Sequence, residues 1–278
     1  MQAILITAYK DRKQLQRLIN FFKTDFLVCV HLDKKSELGI NDFSINKNVK
    51  IIKKYSINWG GINHLYAILD LLELALDDPR TQYIHIISGQ DIPIRSREDF
   101  RFFDNCNKIF IESENLDSKP YYFKKRIKQG TMFSNVDSRK ICVKILNRFY
   151  GLLRSPFVST VDFSNIWIGL VWCSFPRDAG EFVESYVYKG KLKSWKHILI
   201  PEEFFFQTLF QNSNLNNNIC KNNLRFDDWQ NRNGSIPAIL DESDFGNIKK
   251  GNQFFARKID TVKSKRLIEL VSNQINGF

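Results

Sequence analysis

Long apolar runs and paired cysteines are both missing from this sequence. No stretch of its 278 residues approaches the roughly 20 consecutive apolar residues that a membrane-spanning helix requires. Its five cysteines are scattered, with no Cys-x-x-Cys pair and no Cys/His cluster at the spacing of a metal site. These absences argue against a membrane-spanning protein, a disulfide-stabilised secreted domain and a zinc motif. A reducing compartment fits best, with most of the thiols buried as small apolar groups.

A basic leader and a long apolar core are also missing from the amino terminus. Residues 1–10 (MQAILITAYK) predict a first β-strand rather than a signal peptide, so we expect a cytoplasmic protein. Acidic residues are in the minority as well: 30 Asp and Glu against 41 Lys and Arg give a net charge of +11. This charge favours anionic partners, whether nucleotide phosphates, nucleic acid or an anionic membrane surface, and does not choose among them.

What is present predicts a parallel α/β sheet. Residues 3–8 and 26–32 are apolar runs typical of buried strands, and residues 10–22 between them carry apolar side chains at helical spacing. Such a β-α-β unit indicates parallel strands, whose carboxyl ends form the ligand-binding edge of the sheet. His31 and Asp33 stand at such an end. No Gly-x-Gly-x-x-Gly follows the first strand, so the usual dinucleotide-binding fold is not expected.

Two further strands are predicted at residues 49–54 and 83–87, with an amphipathic helix at residues 64–76 between them. The segment SGQD (88–91) follows at the carboxyl end of the later strand. Turn chemistry alone accounts for Asp91, and a ligand-binding role is the alternative.

The segment from Ile200 to Phe210 predicts the start of a buried helix. Pro201 suits the first helical position, where its missing N–H costs nothing, and Glu202 and Glu203 follow where the helix dipole favours carboxylates. Such a helix start holds an ionised carboxylate rigidly, as a general base requires. A dipole pair without a chemical role is the alternative that this stretch leaves open.

Two basic segments allow more than one interpretation. Residues 121–128 (YYFKKRIK) are typical of a nucleic-acid-binding stripe or of the cationic wall of a site. Residues 142–153 carry apolar side chains at helical spacing together with Lys144 and Arg148. That pattern indicates either a membrane-facing helix or a solvated helix face.

Trp172, within an apolar and aromatic run, is either a core residue or a platform for a ligand.

Several short motifs stand in a fixed order along the chain: AYKD (8–11), VHLDKKS (30–36), WGG (59–61), SGQDIPI (88–94), PEEFF (201–205), LRFDDW (224–229) and FARK (255–258). Each motif is weak by itself, but the set is collinear and spans nearly the whole chain. Together they resemble the family of core 2/I-branching N-acetylglucosaminyltransferases and peptide O-xylosyltransferases. Residues 104–160 match poorly, apart from the segment FKKR (123–126), which is similar to a stretch of the branching enzymes.

The resemblance implies one GT-A-like domain over residues 1–278, with a Rossmann-like, mostly parallel sheet flanked by helices. It also implies inverting, metal-independent transfer of a sugar from a UDP-sugar, with no cofactor. Metal-dependent enzymes of this fold hold a cation on the diphosphate with an Asp-x-Asp pair. The corresponding loop here, residues 89–91 (GQD), has a single acid. Arg257 and Lys258 match basic residues that stabilise the leaving diphosphate instead.

The resemblance also assigns side chains to the two substrates. Glu203 is similar to the catalytic base, which takes a proton from the acceptor hydroxyl. The residues implied for the donor pocket are His31, Asp33, Gly89, Asp91, Trp172, Arg257 and Lys258. Those implied for the acceptor side are Lys125, Arg126 and Trp229, and no metal ligand is implied.

The favoured donor is UDP-N-acetylglucosamine. UDP-xylose is the alternative, because residues 256–258 (ARK) are closer to the xylosyltransferase form. The expected acceptor is a saccharide or a lipid-linked saccharide of bacterial surface polysaccharide synthesis, with peripheral contact to the anionic inner membrane face. Nucleic acid is not expected, because acids such as Asp33, Asp91 and Glu203 repel a polyanion. A non-catalytic protein that binds a polyanion or a polysaccharide is the remaining alternative.

Overall fold

Twelve strands and eight α-helices lie within the residues that the computed structural model describes, 1–128, 130–154, 161, 165–275 and 277–278. The strands are β1 (Gln2–Ala8), β2 (Leu27–Leu32), β3 (Val49–Ile52), β4 (Tyr83–Ser88), β5 (Asp91–Pro93), β6 (Ile109–Phe110), β7 (Glu114–Asn115), β8 (Trp167–Ile168), β9 (Ser174–Pro176), β10 (Ile219–Cys220), β11 (Arg225–Phe226) and β12 (Phe255–Arg257). The helices are α1 (Arg12–Phe22), α2 (Asn63–Leu76), α3 (Tyr121–Lys128), α4 (Ile141–Arg154), α5 (Arg177–Tyr188), α6 (Glu202–Gln211), α7 (Phe245–Lys250) and α8 (Lys265–Ile275).

The central sheet has seven strands in the order β10-β6-β9-β4-β1-β2-β3. β9 runs antiparallel to its neighbours β4 and β6, and the remaining pairs are parallel. The predicted mostly parallel sheet is therefore confirmed. Because β1, β2 and β4 are parallel, their last residues, Ala8, Leu32 and Ser88, lie along one edge of the sheet, here called the carboxyl edge.

Helices cover both faces of this sheet. On β1, Ala3 and Leu5 belong to the core packed by α2, α5 and α6, whereas Ile4 and Ile6 belong to the core packed by α1 and α8. All four side chains are fully buried. A strand covered on both faces requires an unbroken apolar run, which explains why the amino-terminal segment lacks the polar alternation of a half-exposed strand.

A second sheet has the order β11-β12-β5. Asp91 is the first residue of β5, a strand that was not predicted, and its side chain also accepts from Ser88 N in the turn after β4, so it has a turn role as well as a strand pairing. β5 pairs antiparallel with β12 and sets Asp91 opposite Arg257. Two motifs separated by 166 residues in the chain thereby meet at the carboxyl edge.

Residues 121–128 and 141–154, whose roles the sequence left open, are both helical (α3 and α4), which confirms the helical spacing of residues 142–153. α8 was not predicted. Its buried residues Leu267, Val271 and Ile275 recur at helical spacing and complete one of the two cores. Within the described part of the chain, none of the helices combines the length and the apolar character needed to traverse a bilayer.

All five cysteines lie in described segments and are free thiols. Cys29 and Cys173 are buried, and burial raises the pKa of each thiol to about 12. Cys106 and Cys220 are half-buried, and Cys142 is exposed on α4. The expectation that most thiols are fully buried is therefore wrong, although two of them behave as small core residues.

Candidate active site

Asp91 and Arg257 form a buried ion pair where β5 meets β12. Arg257 Nε donates to Asp91 Oδ1 at 3.1 Å, and the backbone N–H of Ser88 donates to Asp91 Oδ2 at 2.6 Å. The Asp91 side chain is fully buried, with both carboxylate oxygens in hydrogen bonds to the protein. Asp91 therefore holds Arg257 and the turn after β4 in place from below, without facing solvent itself.

Trp172 supports the same guanidinium from the side. The Cζ atom of Arg257 lies 4.5 Å from the centre of the Trp172 ring, which is a cation–π contact. Trp172 is buried, so its ring packs against Arg257 and does not present a wide free face to a sugar. The burial of Trp172 supports its interpretation as a core residue, and its ring also orients a side chain assigned to the donor.

Lys258 and Lys10 add positive charge beside Arg257. Lys258 Nζ lies 3.5 Å from Ser235 Oγ, at the limit of a hydrogen bond. Burial lowers the pKa of Lys258, and the charges of Arg257 and Lys10 lower it further, while Asp91 opposes them. A lysine whose ammonium form is disfavoured by its neighbours sits in positive potential, which an anionic ligand would relieve.

The GQD loop packs tightly against β1 and β12. A Cβ atom on Gly89 would lie 2.9 Å from Ala8 Cβ, so this position needs glycine for close approach of the backbone. The Gln90 carbonyl accepts from Ile259 N at 2.8 Å, and the Tyr9 hydroxyl donates to Gln90 Oε1 at 3.3 Å. The role of Gly89 is therefore to let the backbone of this loop lie close to Ala8 of β1.

The side chains of His31 and Asp33 accept hydrogen bonds from backbone N–H groups of neighbouring loops. His31 is fully buried and its Nε2 accepts from Tyr55 N at 3.1 Å, and burial lowers the pKa of His31 to about 4, so the ring is neutral. Asp33 Oδ1 accepts from Lys35 N at 2.9 Å and from Ile57 N at 3.3 Å. These two side chains fix the loops after β2 and β3 at the carboxyl edge.

Neighbouring glutamates at the start of α6 lie in different surroundings. Glu202 is buried, and its Oε1 lies 3.0 Å from His64 Nδ1. The Glu203 side chain is 28% exposed and is the more accessible of the two. The predicted helix start is confirmed, but the helix begins at Glu202, and Pro201 is its N-cap rather than its first helical residue. Of the two acids, Glu203 is the one that a ligand can reach more easily.

Arg126 of α3 pairs with Glu203. Arg126 Nη1 lies 2.5 Å from Glu203 Oε2, and the Arg126 carbonyl accepts from Leu199 N at 3.2 Å just before α6. Burial raises the pKa of Glu203, and the Arg126 charge acts in the opposite direction. Glu203 is therefore a half-buried carboxylate with one oxygen held by a cation and its basicity set by two opposing influences.

The loop of the WGG motif packs against the residues that lead into α6. Gly60 has a φ of +82°, a backbone conformation that favours glycine, and a Cβ atom there would lie 2.6 Å from Leu199 Cδ1. The Gly60 carbonyl accepts from Ile200 N at 3.1 Å. This loop therefore fixes the approach of the chain to Glu203.

His64 was not among the predicted site residues, and it lies between Glu202 at the start of α6 and the Trp172–Arg257 contact. Its Nε2 is 3.3 Å from Thr7 Oγ1, its Nδ1 contacts Glu202, and its ring centre is 6.0 Å from that of Trp172. The chain of contacts Glu202–His64–Trp172–Arg257 thus links the start of α6 to β12. The signal for His64 was weak: a histidine in the first turn of a predicted helix, close after the WGG motif.

Of the three side chains assigned to the acceptor, Arg126 is the one that pairs with Glu203 in the part of the chain that the structure describes. Arg126 contacts Glu203, but Lys125 is exposed and its Nζ lies 5.6 Å from the Tyr121 ring centre on α3. Trp229 is exposed and its Nε1 donates to Asp227 Oδ2 at 3.2 Å. Trp229 follows β11, which pairs with β12, the strand that contains Arg257.

A cavity of about 780 Å³ lies at the opposite edge of the sheet, where β1 and β4 begin, and is lined by Gln2, Tyr83, Asp104 and Arg177 among others. None of the predicted site residues lines it. The residues of the candidate site lie instead at the carboxyl edge, where Asp33 follows β2 and Gly89 and Asp91 follow β4. Within the described residues, no group of three or more His, Cys, Asp or Glu side chains is placed to hold a metal ion.

Comparison with known proteins gives one family and several distant relatives. The sequence matches the model of the Core-2/I-Branching enzyme family over residues 3–249. It is 24% identical to Xylosyltransferase 1 of Mus musculus, over 99% of this chain and 30% of that protein. It is 23% identical to Xylosyltransferase 2 of Rattus norvegicus (99% and 33%) and 20% identical to Xylosyltransferase oxt of Drosophila melanogaster (95% and 32%). The chain spans about a third of the length of these relatives.

Proposed function

Because this chain belongs to the Core-2/I-Branching enzyme family, a family of glycosyltransferases, we propose that it transfers a sugar from a UDP-sugar to a hydroxyl group of a saccharide, with inversion at the anomeric carbon. The mixed α/β sheet flanked by helices agrees with the GT-A-like domain that the sequence motifs imply. The extent of that domain over residues 1–278 stays a prediction.

The observation that carries the proposal is a partly accessible carboxylate that a chain of side-chain contacts links to a group of cations. Glu203 is the half-buried member of an otherwise buried helix start, and Arg257 and Lys258 stand at the other end of the Glu202–His64–Trp172 contacts. A base for the acceptor and positive charge for a leaving diphosphate are the two groups that a single displacement requires.

In the proposed step, the acceptor oxygen attacks C1 of the donor sugar as Glu203 takes the hydroxyl proton. The bond between C1 and the UDP oxygen breaks, and its electron pair leaves with the diphosphate. Glu203 Oε1 receives the proton, because Oε2 is held by Arg126. Assistance of this kind is worth about 10²–10⁴-fold in rate. Attack opposite the leaving group accounts for inversion and needs no covalent enzyme intermediate.

Lys258, Arg257 and Lys10 supply the charge that binds the diphosphate in this proposal. Burial and the neighbouring cations lower the pKa of Lys258, and the positive potential of those cations would attract an anionic ligand. Preorganised cations can stabilise a leaving diphosphate without a metal ion. We therefore propose that the transfer is independent of metal.

Two donors are candidates. The resemblance to branching enzymes supports UDP-N-acetylglucosamine, whereas relatives named xylosyltransferases support UDP-xylose. For the acceptor we propose a saccharide or lipid-linked saccharide of bacterial surface polysaccharide synthesis, in a cytoplasmic setting at the inner membrane face. The net charge of +11 supports this location, because a basic protein is attracted to an anionic lipid surface.

The test is the melting temperature against a panel of nucleotides and UDP-sugars in EDTA, followed by UDP release from each donor. A ligand that binds the native state raises the melting temperature by mass action, so UDP and one UDP-sugar should shift it. UDP release that persists in EDTA supports the metal-independent reaction, and its abolition by chelation overturns that part. No shift with any uridine nucleotide overturns the proposal, and salt-dependent polyanion binding then becomes the next measurement.

A further inference from the structure

α4 exposes a row of large apolar side chains on its outer face. Ile141, Ile145, Phe149 and Leu152 are 78%, 52%, 62% and 67% exposed. They recur every three or four residues, which places them along one side of a helix. An exposed apolar stripe of this length indicates a binding surface rather than an ordinary solvated face.

The opposite face of α4 attaches the helix to the protein. Asn147 Oδ1 accepts from Thr131 Oγ1 at 3.1 Å and from Met132 N at 2.9 Å, and Val143 is buried. The apolar stripe is therefore not the face that docks α4 onto the fold. Its side chains are left available while the helix is held by contacts on its other side.

Basic side chains flank the stripe. Lys144 and Arg148 are exposed and stand one turn apart, and at 100° per residue they lie next to the line through Ile141 and Ile145. Lys140 is exposed just before α4, and residues 141–154 include no Asp or Glu. An exposed apolar stripe bordered by cations, with no acid, is the pattern of a helix that lies in the plane of an anionic membrane interface.

We propose that α4 docks this protein on an anionic lipid bilayer, with the stripe inserted at the level of the acyl chains and Lys144 and Arg148 on the lipid phosphates. A second copy of the chain fits this face less well. A symmetric pairing of two α4 faces would set the same cations of each copy close to those of the other. Lipid satisfies both features of the surface, since acyl chains take up the apolar groups and head groups neutralise the charge.

Vesicle flotation tests this docking surface. One set of vesicles contains phosphatidylcholine alone, and the other contains phosphatidylcholine and phosphatidylglycerol in equal parts. The protein should float with the second set only. The double variant Ile145→Ser/Phe149→Ser should lower the partition coefficient about tenfold or more, because each buried CH₂ contributes about 0.8 kcal/mol. The variant Lys144→Glu/Arg148→Glu should lower it by a similar factor and flatten its dependence on salt.

Matched variants elsewhere separate this surface from general basicity. Ile45→Ser/Val262→Ser changes two side chains that are 51% and 82% exposed, and Lys249→Glu/Lys250→Glu reverses two exposed cations at the end of α7. Neither control should change flotation more than about twofold, and all variants should keep the wild-type melting temperature because they are surface changes. Binding to neither vesicle type overturns the proposal, as does an equal loss in the Lys249/Lys250 control. A concentration-dependent dimer in sedimentation velocity that Ile145→Ser/Phe149→Ser abolishes would replace the bilayer with a second copy.

Discussion

Two charged pairs stand at the candidate site, and they are built differently. The Asp91–Arg257 pair joins two strands, with side chains that are 0% and 9% exposed. The Arg126–Glu203 pair joins a short helix to a helix start, with side chains that are 14% and 28% exposed. In the strand pair both carboxylate oxygens are engaged by the protein. In the helix pair Arg126 holds only one of them.

This difference suits Asp91 to holding another side chain in position and Glu203 to proton transfer. A carboxylate that is fully buried and hydrogen-bonded through both oxygens holds a neighbouring cation in place and is not accessible to a substrate. A carboxylate that is half-buried, with its pKa raised by burial, can exchange a proton with a substrate. We therefore expect damage to the strand pair to be measured first in stability, and damage to the helix pair in turnover.

The largest effect is expected from Glu203→Gln. The amide keeps the shape of the side chain but cannot take the acceptor proton, so transfer should fall about 10²–10⁴-fold while UDP still shifts the melting temperature. Rates of UDP release with and without acceptor measure this. Glu202→Gln is the matched control: its amide oxygen can still contact His64, and its effect should be much smaller. A larger loss in Glu202→Gln than in Glu203→Gln would exchange the two roles.

Asp91→Ala should break the strand pair and destabilise the fold. The variant leaves Arg257 buried without its carboxylate, which costs about 3–5 kcal/mol. Urea unfolding gives the value, and Arg126→Ala provides the comparison, with an expected cost of about 1–2 kcal/mol because its pair is partly solvated. The double variant Asp91→Ala/Arg257→Ala should recover part of the loss, since no unpaired charge remains. Equal costs for Asp91→Ala and Arg126→Ala would show that the two pairs are not different in kind.

Sequence could predict the local elements that carry the two pairs better than the pairs themselves. The acidic start of α6 follows from local rules, since Pro201, Glu202 and Glu203 together satisfy a helix amino terminus. The β1-α1-β2 unit follows from apolar runs separated by a helical period, and only its boundaries moved: α1 begins at Arg12, with Asp11 as its cap.

What sequence could not predict are contacts between distant segments. Arg126 reaches Glu203 across 77 residues, and no periodic pattern in either segment encodes that meeting. β5 has only three residues, too few to show strand alternation, and it exists because β12 pairs with it. The burial of Trp172 beneath Arg257 arises in the same way, from the packing of two strands and a loop. Motif order predicted the candidate site residues, and the topology of the sheets determines which of them are in contact.

Lys258→Ala should weaken the binding of UDP about ten- to a hundredfold, since a hydrogen bond to a charged group contributes about 1.5–3 kcal/mol. Isothermal titration with UDP measures it, with Lys249→Ala of α7 as the control that removes equal charge elsewhere. Lys258 must be protonated to bind the diphosphate, and its pKa lies below the ordinary 10.5. Binding to the wild type should therefore weaken on the alkaline side before an ordinary lysine titrates. Unchanged affinity in Lys258→Ala would remove this residue from the diphosphate site.

Arg126→Gln should have the smallest effect, a shift of the pH profile. Glu203 works only when deprotonated, so activity falls as pH drops through the pKa of its carboxyl group. Burial raises that pKa above 4.5 and Arg126 lowers it, so removal of the cation raises it further. The acidic limb of kcat/KM should then move to higher pH, while the rate on the plateau changes less than in Glu203→Gln. Arg126→Lys keeps the charge and should keep the limb near its wild-type position. The loss of a cation 2.5 Å from the Glu203 carboxylate must raise the pKa of that group. An acidic limb that moves to lower pH in Arg126→Gln, or stays in place, would therefore mean that the titrating base is not Glu203.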